Sequence, residues 1–209
     1  MAILARAPIP GQVKTRLIPL LGAEGAASLQ TWMLQRVVAM ALEADVGPVS
    51  LWCDGDPGHR DFVRCRELGP LRILPQVAGD LGQRMLAAVR DSPNAAGTLV
   101  IGTDCPVLSA THLRAAARSL TDCDAVLIPV EDGGYVLIGM KTPAAGAFAG
   151  IDWGSPQVMA QTRQGLAAMG WRWDEQAKLW DVDRPEDVER LAAMFPEVGE
   201  ITGRHRDVA

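Results

Sequence analysis

Apolar residues along this chain gather in short runs that are separated by longer segments of mixed character. Runs of four to six apolar residues, bounded by polar or turn-forming residues, indicate buried β-strands. The runs predict six strands: Met1–Ala5, Val49–Cys53, Leu71–Leu74, Leu99–Thr103, Ala125–Val130 and Tyr135–Met140.

The segments between the strands carry apolar residues at helical spacing. One helix is predicted from about Gly22 to Glu43, and another ends at Asp91. Their apolar faces consist of Leu29, Met33, Val37 and Met40 in the first helix, and of Leu81, Met85 and Ala88 in the second. Strands that alternate with helices predict an α/β fold, a mostly parallel sheet with helices on both faces. Ligands of such sheets bind beyond the carboxyl ends of the strands.

Polar residues mark the expected beginnings of four helices. A side-chain oxygen at such a position accepts a hydrogen bond from a free backbone N–H of the first turn. The predicted N-caps are Asp80, with Gln83 completing a capping box; Ser109; Ser155, with Pro156 following; and Asp183, with Pro185 and Glu186 following.

Length and composition predict one globular domain over residues 1–209. The chain is 48% hydrophobic and 22% charged, which is typical of globular proteins. Its net charge of −5 argues against a protein that coats nucleic acid, so no nucleic-acid partner is expected. Charged residues interrupt every apolar run before it could span a membrane.

The N-terminal segment and the cysteines favour a cytoplasmic protein. The apolar start is cut short by Arg6 and Pro8, so it does not resemble a signal peptide. The four cysteines form no C-x-x-C pair, and they are predicted to be reduced thiols of the core. The sequence leaves the oligomeric state open.

The loop after the first predicted strand concentrates positive charge. Arg6, Lys14 and Arg16 lie in it, and no acidic residue follows until Glu24. Two prolines stiffen the loop and Gly11 permits close approach of the backbone, which suits a cradle for a di- or triphosphate. The segment is not a Walker A loop. A solvated basic turn would have the same composition.

Asp104 directly follows the strongest predicted strand. A carboxylate at this place favours a site for Mg²⁺ or Mn²⁺, which proteins bind with one or two carboxylates plus substrate phosphates. The alternative is that Asp104 caps the turn before Ser109. Cys105 with His112 as a base is set aside as a nucleophile, because nothing in the sequence brings the two together.

Two further acidic segments complete the candidate chemistry. The sequence Glu131-Asp132-Gly133-Gly134-Tyr135 predicts a tight hairpin turn, and its carboxylates are candidates to take a proton from an acceptor hydroxyl. Residues 174–189 hold seven acids against two cations. A capping role explains Asp183 but leaves Asp181 without one. An acidic loop far in sequence from a basic loop is what a metal-bridged diphosphate site requires. A solvated acidic helix start would have the same composition.

Six motifs, in this order, carry a resemblance: ARAPIPGQVKTRL, QVAGDLGQRM, GTDCP, EDGGYVLIG, WGSP and DVDRPEDV. The chain resembles the DUF2064 family of bacterial proteins, which are glycosyltransferase-like members of the nucleotide-diphospho-sugar transferase superfamily with a GT-A fold. The resemblance runs from Ile3 to about Leu191. It implies a nucleotide-activated donor, a small-molecule acceptor and a divalent metal.

The resemblance also implies residue roles. Lys14 and Arg16 would contact phosphates, and the helix start at Asp80 to Arg84 would lie near the nucleoside. The implied nucleotide-binding residues are Ala5, Arg6, Ala7, Pro10, Gly11, Lys14, Arg16, Asp80, Arg84 and Thr103. Asp104 would bind the metal together with Asp181 or Asp183. The acceptor side would comprise Gly133, Gly134, Tyr135, Trp153 and Ser155, and the implied catalytic residues are Lys14, Glu131 and Asp132.

The sequence departs from the family pattern at a few positions. Gln12, Val136 and Arg184 replace a common Lys, Tyr and Thr. Many glycosyltransferases of this fold carry D-x-D after the central strand, whereas this chain has Thr103-Asp104-Cys105. This single Asp looks more like the pattern of the nucleotidyltransferases. Three functions therefore remain: glycosyl transfer, which the family description favours; nucleotidyl transfer with release of pyrophosphate; and nucleotide binding without catalysis.

Overall fold

The computed structural model describes residues 1–91 and 96–202, and within them a seven-stranded sheet forms the centre of the fold. Its strands are β1 (Ala2–Arg6), β2 (Val49–Asp54), β3 (Leu71–Pro75), β4 (Thr98–Ile101), β5 (Ala125–Pro129), β6 (Tyr135–Met140) and β7 (Trp173–Glu175). The six predicted strands are confirmed. β7 is an addition that the apolar pattern does not show, because two of its three residues, Asp174 and Glu175, are acidic.

The strands follow the order β3-β2-β1-β4-β6-β5-β7. β6 runs antiparallel to both of its neighbours, β4 and β5, and every other pairing is parallel. The carboxyl ends of β1, β2, β4 and β5 therefore lie at one edge of the sheet. The amino end of β6 lies at the same edge, so Tyr135 meets the loops that follow the parallel strands.

Helices cover both faces, as predicted for an α/β fold. They are α1 (Ile18–Ala44), α2 (Arg60–Arg64), α3 (Leu81–Asp91), α4 (Ala110–Asp122), α5 (Val158–Ala168), α6 (Pro185–Met194) and α7 (Glu197–Ile201). One core joins α1 and α4 to the sheet, and a second core joins α3 and α5 to the opposite face. In the described segments, no helix has the length and apolar character needed to cross a membrane.

Two of the four predicted helix starts agree with the structure. Asp80 and Gln83 form the reciprocal capping box: the Gln83 backbone N–H donates to Asp80 Oδ1 at 2.8 Å, and the Asp80 backbone N–H donates to Gln83 Oε1 at 2.9 Å. Ser109 begins α4, and its backbone N–H donates to His112 Nδ1 at 3.1 Å. This use of His112 gives the imidazole a structural partner away from Cys105.

The other two predicted starts are wrong by one or two residues. Helix α5 begins at Val158, and the Ser155 hydroxyl instead accepts from the Gln157 N–H in the preceding turn. The residue before α6 is Arg184, and the carboxylate that accepts from its backbone N–H is Asp187. Asp183 is therefore not the N-cap of α6, contrary to the prediction from the sequence.

Candidate functional site

A cleft of about 650 Å³ opens at the carboxyl edge of the sheet. It is lined by residues at or beyond the carboxyl ends of β1, β2, β3 and β4, by the first turns of α3, by the start of β6 and by segments 153–158 and 181–183. The cleft brings together most of the residues predicted for a site: Ala5, Arg6, Lys14, Arg16, Arg84, Thr103, Asp104, Asp132, Gly134, Tyr135, Trp153, Ser155, Asp181 and Asp183.

Lys14 is the buried centre of what we call the charged side of the cleft, which comprises Lys14, Arg16, Asp104, Asp181 and Asp183. Its ammonium lies 2.9 Å from Asp104 Oδ1 and donates to the backbone oxygen of Val182 at 2.6 Å. Only 5% of the Lys14 side chain is exposed, against 53% for Asp104. The backbone at Lys14 is left-handed, with φ of 46°, which is uncommon for a residue with a side chain.

Two hydrogen bonds hold the loops of the charged side in place. The Val182 N–H donates to the backbone oxygen of Asp104 at 2.8 Å, which joins the late acidic segment to the loop after β4. Gln30 of α1 donates to the buried Thr103 hydroxyl at 2.9 Å, which fixes the same loop against the helix. Arg16 forms an ion pair with Asp183. The predicted meeting of a basic and an acidic loop is therefore observed.

Asp181 is the most perturbed carboxyl group of the charged side. Burial raises its pKa, and the negative charges of Asp132 and Asp104 raise it further, to about 6. The Lys14 ammonium opposes this shift only in part. Carboxylates are concentrated here beyond what the neighbouring cations neutralise, a pattern typical of functional sites.

A second group of charges, which we call the Asp54 cluster, comprises Arg6, Asp54, Gln76 and Arg84. Arg6 Nε and Arg84 Nη1 each lie 3.1 Å from Asp54 Oδ2. Burial opposes ionisation of Asp54, but hydrogen bonds and charge from the two arginines outweigh it and hold the pKa of Asp54 below its usual value. Gln76 links the cluster to the sheet by donating to the backbone oxygens of Trp52 and Ala5.

The segments 134–136 and 153–158 contribute only uncharged side chains to the described lining of the cleft, and we call these residues the neutral side: Gly134, Tyr135, Val136, Trp153, Gly154, Ser155 and Val158. The rings of Tyr135 and Trp153 meet edge to face with centroids 6.5 Å apart. Both rings pack on the core under α3 and α5. The Tyr135 hydroxyl and the Trp153 indole N–H are buried and make no hydrogen bond within the described chain.

A close backbone contact holds the neutral side in place. Gly133 has φ of +93°, and a Cβ atom there would lie 2.2 Å from the backbone oxygen of Pro156. The Met159 N–H donates to the Gly133 oxygen at 2.9 Å. The glycine of the predicted hairpin turn thus lets the 153–158 segment lie directly against the turn, and Asp132 is held where the neutral and charged sides meet.

Several predicted site residues do not line the cleft: Ala7, Pro10, Gly11, Asp80, Glu131 and Gly133. Asp80 acts in its capping box, and Gly133 in the contact just described. Glu131 forms a bidentate pair with Arg190 of α6, at 3.0 and 3.3 Å. The structure therefore separates the two neighbouring carboxylates of the turn, with Asp132 in the cleft and Glu131 outside it.

Sequence reasoning missed Asp54 and Gln76, although each carried a signal. Both stand at or just beyond the carboxyl end of a predicted strand, which is the position that the fold makes functional. Cys105 also lines the cleft. Burial raises the pKa of its thiol to about 12, which agrees with the decision to set it aside as a nucleophile. All four cysteines are free, and three are buried.

The charged side is not arranged as a preformed metal site. Across residues 1–91 and 96–202, no group of three Asp, Glu, His or Cys side chains is placed to hold a metal ion. Asp104 and Asp183 each face a cation of the first loop instead. The residues fit a metal that takes one or two carboxylates and completes its shell with phosphates and water, as Mg²⁺ does.

Comparison with solved structures identifies proteins of the same fold. A protein of Desulfovibrio desulfuricans G20, provisionally described as a nucleotide-diphospho-sugar transferase, matches with a TM-score of 0.83 and 23% identity, over 97% of this chain and 96% of its own. The 4-diphosphocytidyl-2C-methyl-D-erythritol synthase of Anaerococcus prevotii matches at 0.61 and 11%, over 93% and 95%. A Methanothermobacter nucleotidyl transferase matches at 0.57 and 16%, over 94% and 97%.

The family assignment comes from the sequence. No curated protein matches the chain. The profile of DUF2064, described as uncharacterized protein conserved in bacteria, matches residues 37–155, which is more than half of the chain. The predicted resemblance and the α/β fold class are both confirmed, and this chain belongs to the DUF2064 family.

Proposed function

We propose that this protein is a metal-dependent transferase that moves a sugar from a nucleotide-diphospho-sugar to a small acceptor. The observation that carries the proposal is the pairing of Lys14 with Asp104 and of Arg16 with Asp183 in one cleft. Each pair holds one group suited to a phosphate and one suited to a metal. A metal-bound diphosphate can replace both ion pairs at once, because it supplies a partner for every member.

The charge of the cleft supports a metal requirement. Its described lining holds four cations, Arg6, Lys14, Arg16 and Arg84, and five carboxylates, Asp54, Asp104, Asp132, Asp181 and Asp183. Every one of these cations already faces a carboxylate. A diphosphate that entered alone would add negative charge to a site that has no unpaired positive charge to balance it. A divalent cation compensates for that charge.

Asp104, with Asp181 or Asp183, would hold Mg²⁺ or Mn²⁺. When bound, the metal stabilises the negative charge that develops on the departing diphosphate. Lys14 and Arg16, once freed from their carboxylates, place an ammonium and a planar guanidinium fork on phosphate oxygens. The burial of Lys14 strengthens its electrostatic effect, because little water screens it.

Asp132 is positioned to receive a proton from the acceptor. In an inverting transfer, the acceptor hydroxyl oxygen bonds to the anomeric carbon, the bond from that carbon to the diphosphate oxygen breaks, and the hydroxyl proton passes to a base. Asp132 lines the cleft between its two sides, and one of its oxygens accepts from the Gly134 N–H at 2.9 Å. That bond orients the carboxylate and leaves its other oxygen for the proton.

Nucleotidyl transfer is the second candidate. The motif Thr103-Asp104-Cys105 offers one carboxylate where many glycosyltransferases of this fold have two. One of the matched structures is named as a nucleotidyl transferase, and another is named as a synthase of 4-diphosphocytidyl-2C-methyl-D-erythritol. In this reaction an acceptor oxygen attacks the α-phosphorus of a nucleoside triphosphate, pyrophosphate leaves, and Lys14 neutralises the charge that develops.

A thermal-shift panel tests the proposal and separates the candidates. Nucleoside triphosphates and nucleotide sugars are each added with and without Mn²⁺. A ligand at about 100 times its Kd stabilises the protein by about 2.7 kcal/mol, which is several degrees for a chain of this size. A metal-dependent shift that is larger with one nucleotide sugar than with the matching triphosphate supports glycosyl transfer. The reverse order supports nucleotidyl transfer, and no shift contradicts both.

A further inference from the structure

The side chains of the neutral side restrict the charge of an acceptor that can bind there. Resting on the proposed function, we infer that the neutral side takes an uncharged, hydroxyl-bearing acceptor such as a sugar or polyol, and that it selects against phosphorylated or carboxylated ones. The inference follows from the cations of the cleft, from the carboxylates that border the neutral side and from two unpaired hydrogen-bond donors within it.

The cations of the described lining belong to other parts of the cleft. Lys14 and Arg16 lie on the charged side, and Arg6 and Arg84 lie in the Asp54 cluster. Each faces a carboxylate, and the proposed donor takes Lys14 and Arg16 when it binds. No arginine or lysine lines the neutral side in the part of the chain that the structure describes. Proteins that bind a phosphate group place such cations against it.

Arg190 pairs with the β5–β6 turn but lies outside the cleft. Arg190 makes a bidentate pair with Glu131, the residue before Asp132. Its guanidinium also stacks over the Trp180 ring, 4.2 Å from the centroid. These two contacts fix Arg190 outside the cleft, since it is not among the lining residues. A negatively charged acceptor would therefore gain no partner from this arginine.

The charges that do border the neutral side are negative. Asp132 precedes Gly134 by two positions and lines the same cleft as Asp181 of the charged side. An acceptor phosphate placed beside Tyr135 would face these carboxylates. A hydroxyl group would instead find in Asp132 an acceptor for its proton. The same charge that repels an anion is thus useful to a neutral alcohol.

Two neutral donors complement hydroxyl oxygens. The Trp153 indole N–H and the Tyr135 hydroxyl are buried and have no hydrogen-bond partner among the described residues. Burial raises the pKa of Tyr135 far above its usual range, although the nearby Thr162 hydroxyl opposes the shift, so the phenol keeps its proton. Unpaired buried donors are unfavourable, and a bound ligand oxygen relieves them. Aromatic rings beside such donors also suit the apolar faces of a sugar.

The test compares neutral compounds with their phosphorylated forms by saturation-transfer NMR. The pairs are glycerol with glycerol 3-phosphate, ribose with ribose 5-phosphate, and glucose with glucose 6-phosphate. The protein carries Mg²⁺ and the nucleoside diphosphate that gives the largest thermal shift. We expect at least one neutral member to bind at least tenfold more tightly than its phosphorylated form. Equal or tighter binding of the phosphorylated forms overturns the inference, as does binding of no neutral compound.

Paired variants locate the preference. Trp153→Phe and Tyr135→Phe keep the rings and remove the donors, and each is expected to weaken the neutral ligand several-fold. Trp171→Phe, a substitution outside the cleft lining, is the matched control and should leave binding unchanged. Ser155→Arg adds a cation to the neutral side and should improve binding of the phosphorylated form at least tenfold, whereas Ser155→Gln adds length alone and should not.

Nucleotide binding is measured separately on every variant, so the results distinguish a failure of the acceptor inference from a failure of the proposed function. A retained nucleotide shift together with a preference for phosphorylated acceptors overturns this inference and leaves a nucleotide-dependent transferase. The absence of any nucleotide shift in the unmodified protein overturns the proposed function, and the inference with it.

Discussion

The charged side and the neutral side of the cleft are built on different principles. On the charged side, long side chains from distant loops meet in ion pairs, such as Lys14 with Asp104 and Arg16 with Asp183. On the neutral side, short backbone contacts and packed rings fix the surface, as in the approach of Gly133 to Pro156. The first arrangement can exchange its partners without moving the backbone, and the second cannot.

This difference suits two different tasks. A donor with a diphosphate and a metal must replace existing charge contacts, so a side made of ion pairs loses one set of partners and gains another. An uncharged acceptor offers weaker contacts, so its side must be preformed, because little binding energy is available to order it. Substitutions on the two sides should therefore differ in kind. Those on the charged side act mainly on donor binding, whereas those that break the backbone contacts of the neutral side act mainly on folding stability.

The largest effect is expected from Asp104→Ala. The substitution removes the carboxylate that follows β4 and should abolish the metal-dependent part of donor binding, measured as the Mn²⁺-dependent thermal shift. Lys14, which is 5% exposed, also loses its charged partner, so the ligand-free protein should be less stable. Asp104→Asn keeps the size of the side chain and controls for packing. An unchanged Mn²⁺ dependence in both variants would remove Asp104 from the site.

Gly133→Ala should have the next largest effect, on stability. Its Cβ would lie 2.2 Å from the Pro156 oxygen, at a φ of +93° that alanine rarely adopts. Strain and overpacking together should cost about 3 kcal/mol of the free energy of unfolding in urea. Gly154→Ala is the matched control, because Gly154 has φ of +88° and open space around it. Equal losses in the two variants would show that the contact with Pro156 contributes nothing.

Lys14→Ala tests the exchange of partners on the charged side. The loss of a charge-assisted hydrogen bond to phosphate is worth about 1.5–3 kcal/mol, or about 10- to 100-fold in affinity. Every nucleoside diphosphate should weaken alike in isothermal titration, whatever its base. Arg66→Ala removes an exposed cation outside the cleft and should have no effect. A loss confined to one base would refute the phosphate role.

The smallest effect concerns the Asp54 cluster and pH. The arginines hold the pKa of Asp54 below its ordinary value near 3.8, so its contribution to stability is present above that pH and is lost as the pH falls through the lowered pKa. Asp54 is about a third exposed, so the contribution should be below about 1 kcal/mol. Urea unfolding of Asp54→Asn and the unmodified protein should differ at pH 6 and converge near pH 2. A difference that persists at pH 2 would exclude this cause.

Much of the fold could be predicted because its signals are local. Apolar runs identified six strands, and helical spacing placed α1 and α3. β7 could not be predicted from an apolar run, because it pairs only with β5, through three residues of which two are acidic. The starts of α5 and α6 were misplaced because Pro156 and Pro185 permit a helix start on either side. Tertiary contacts decide between neighbouring caps of this kind.

The convergence of the candidate site was predictable wherever a charge lies in a loop after a strand. Lys14, Asp104 and Asp132 are predicted in this way, and the structure brings them to one cleft. The separation of Glu131 from Asp132 was not predictable, because it depends on Arg190, which lies 59 positions further along the chain. The sequence also could not show that the cations of the cleft would be paired, since those pairs join residues up to 167 positions apart.

The left-handed backbone of Lys14 has a consequence for variation at this position. Glycine or asparagine would adopt a φ of 46° with less backbone strain. Neither could carry an ammonium group to Asp104 or to the backbone oxygen of Val182. The strained backbone at position 14 is therefore a local cost that the contacts of the lysine offset, and a shorter residue here would relieve the strain while losing those contacts.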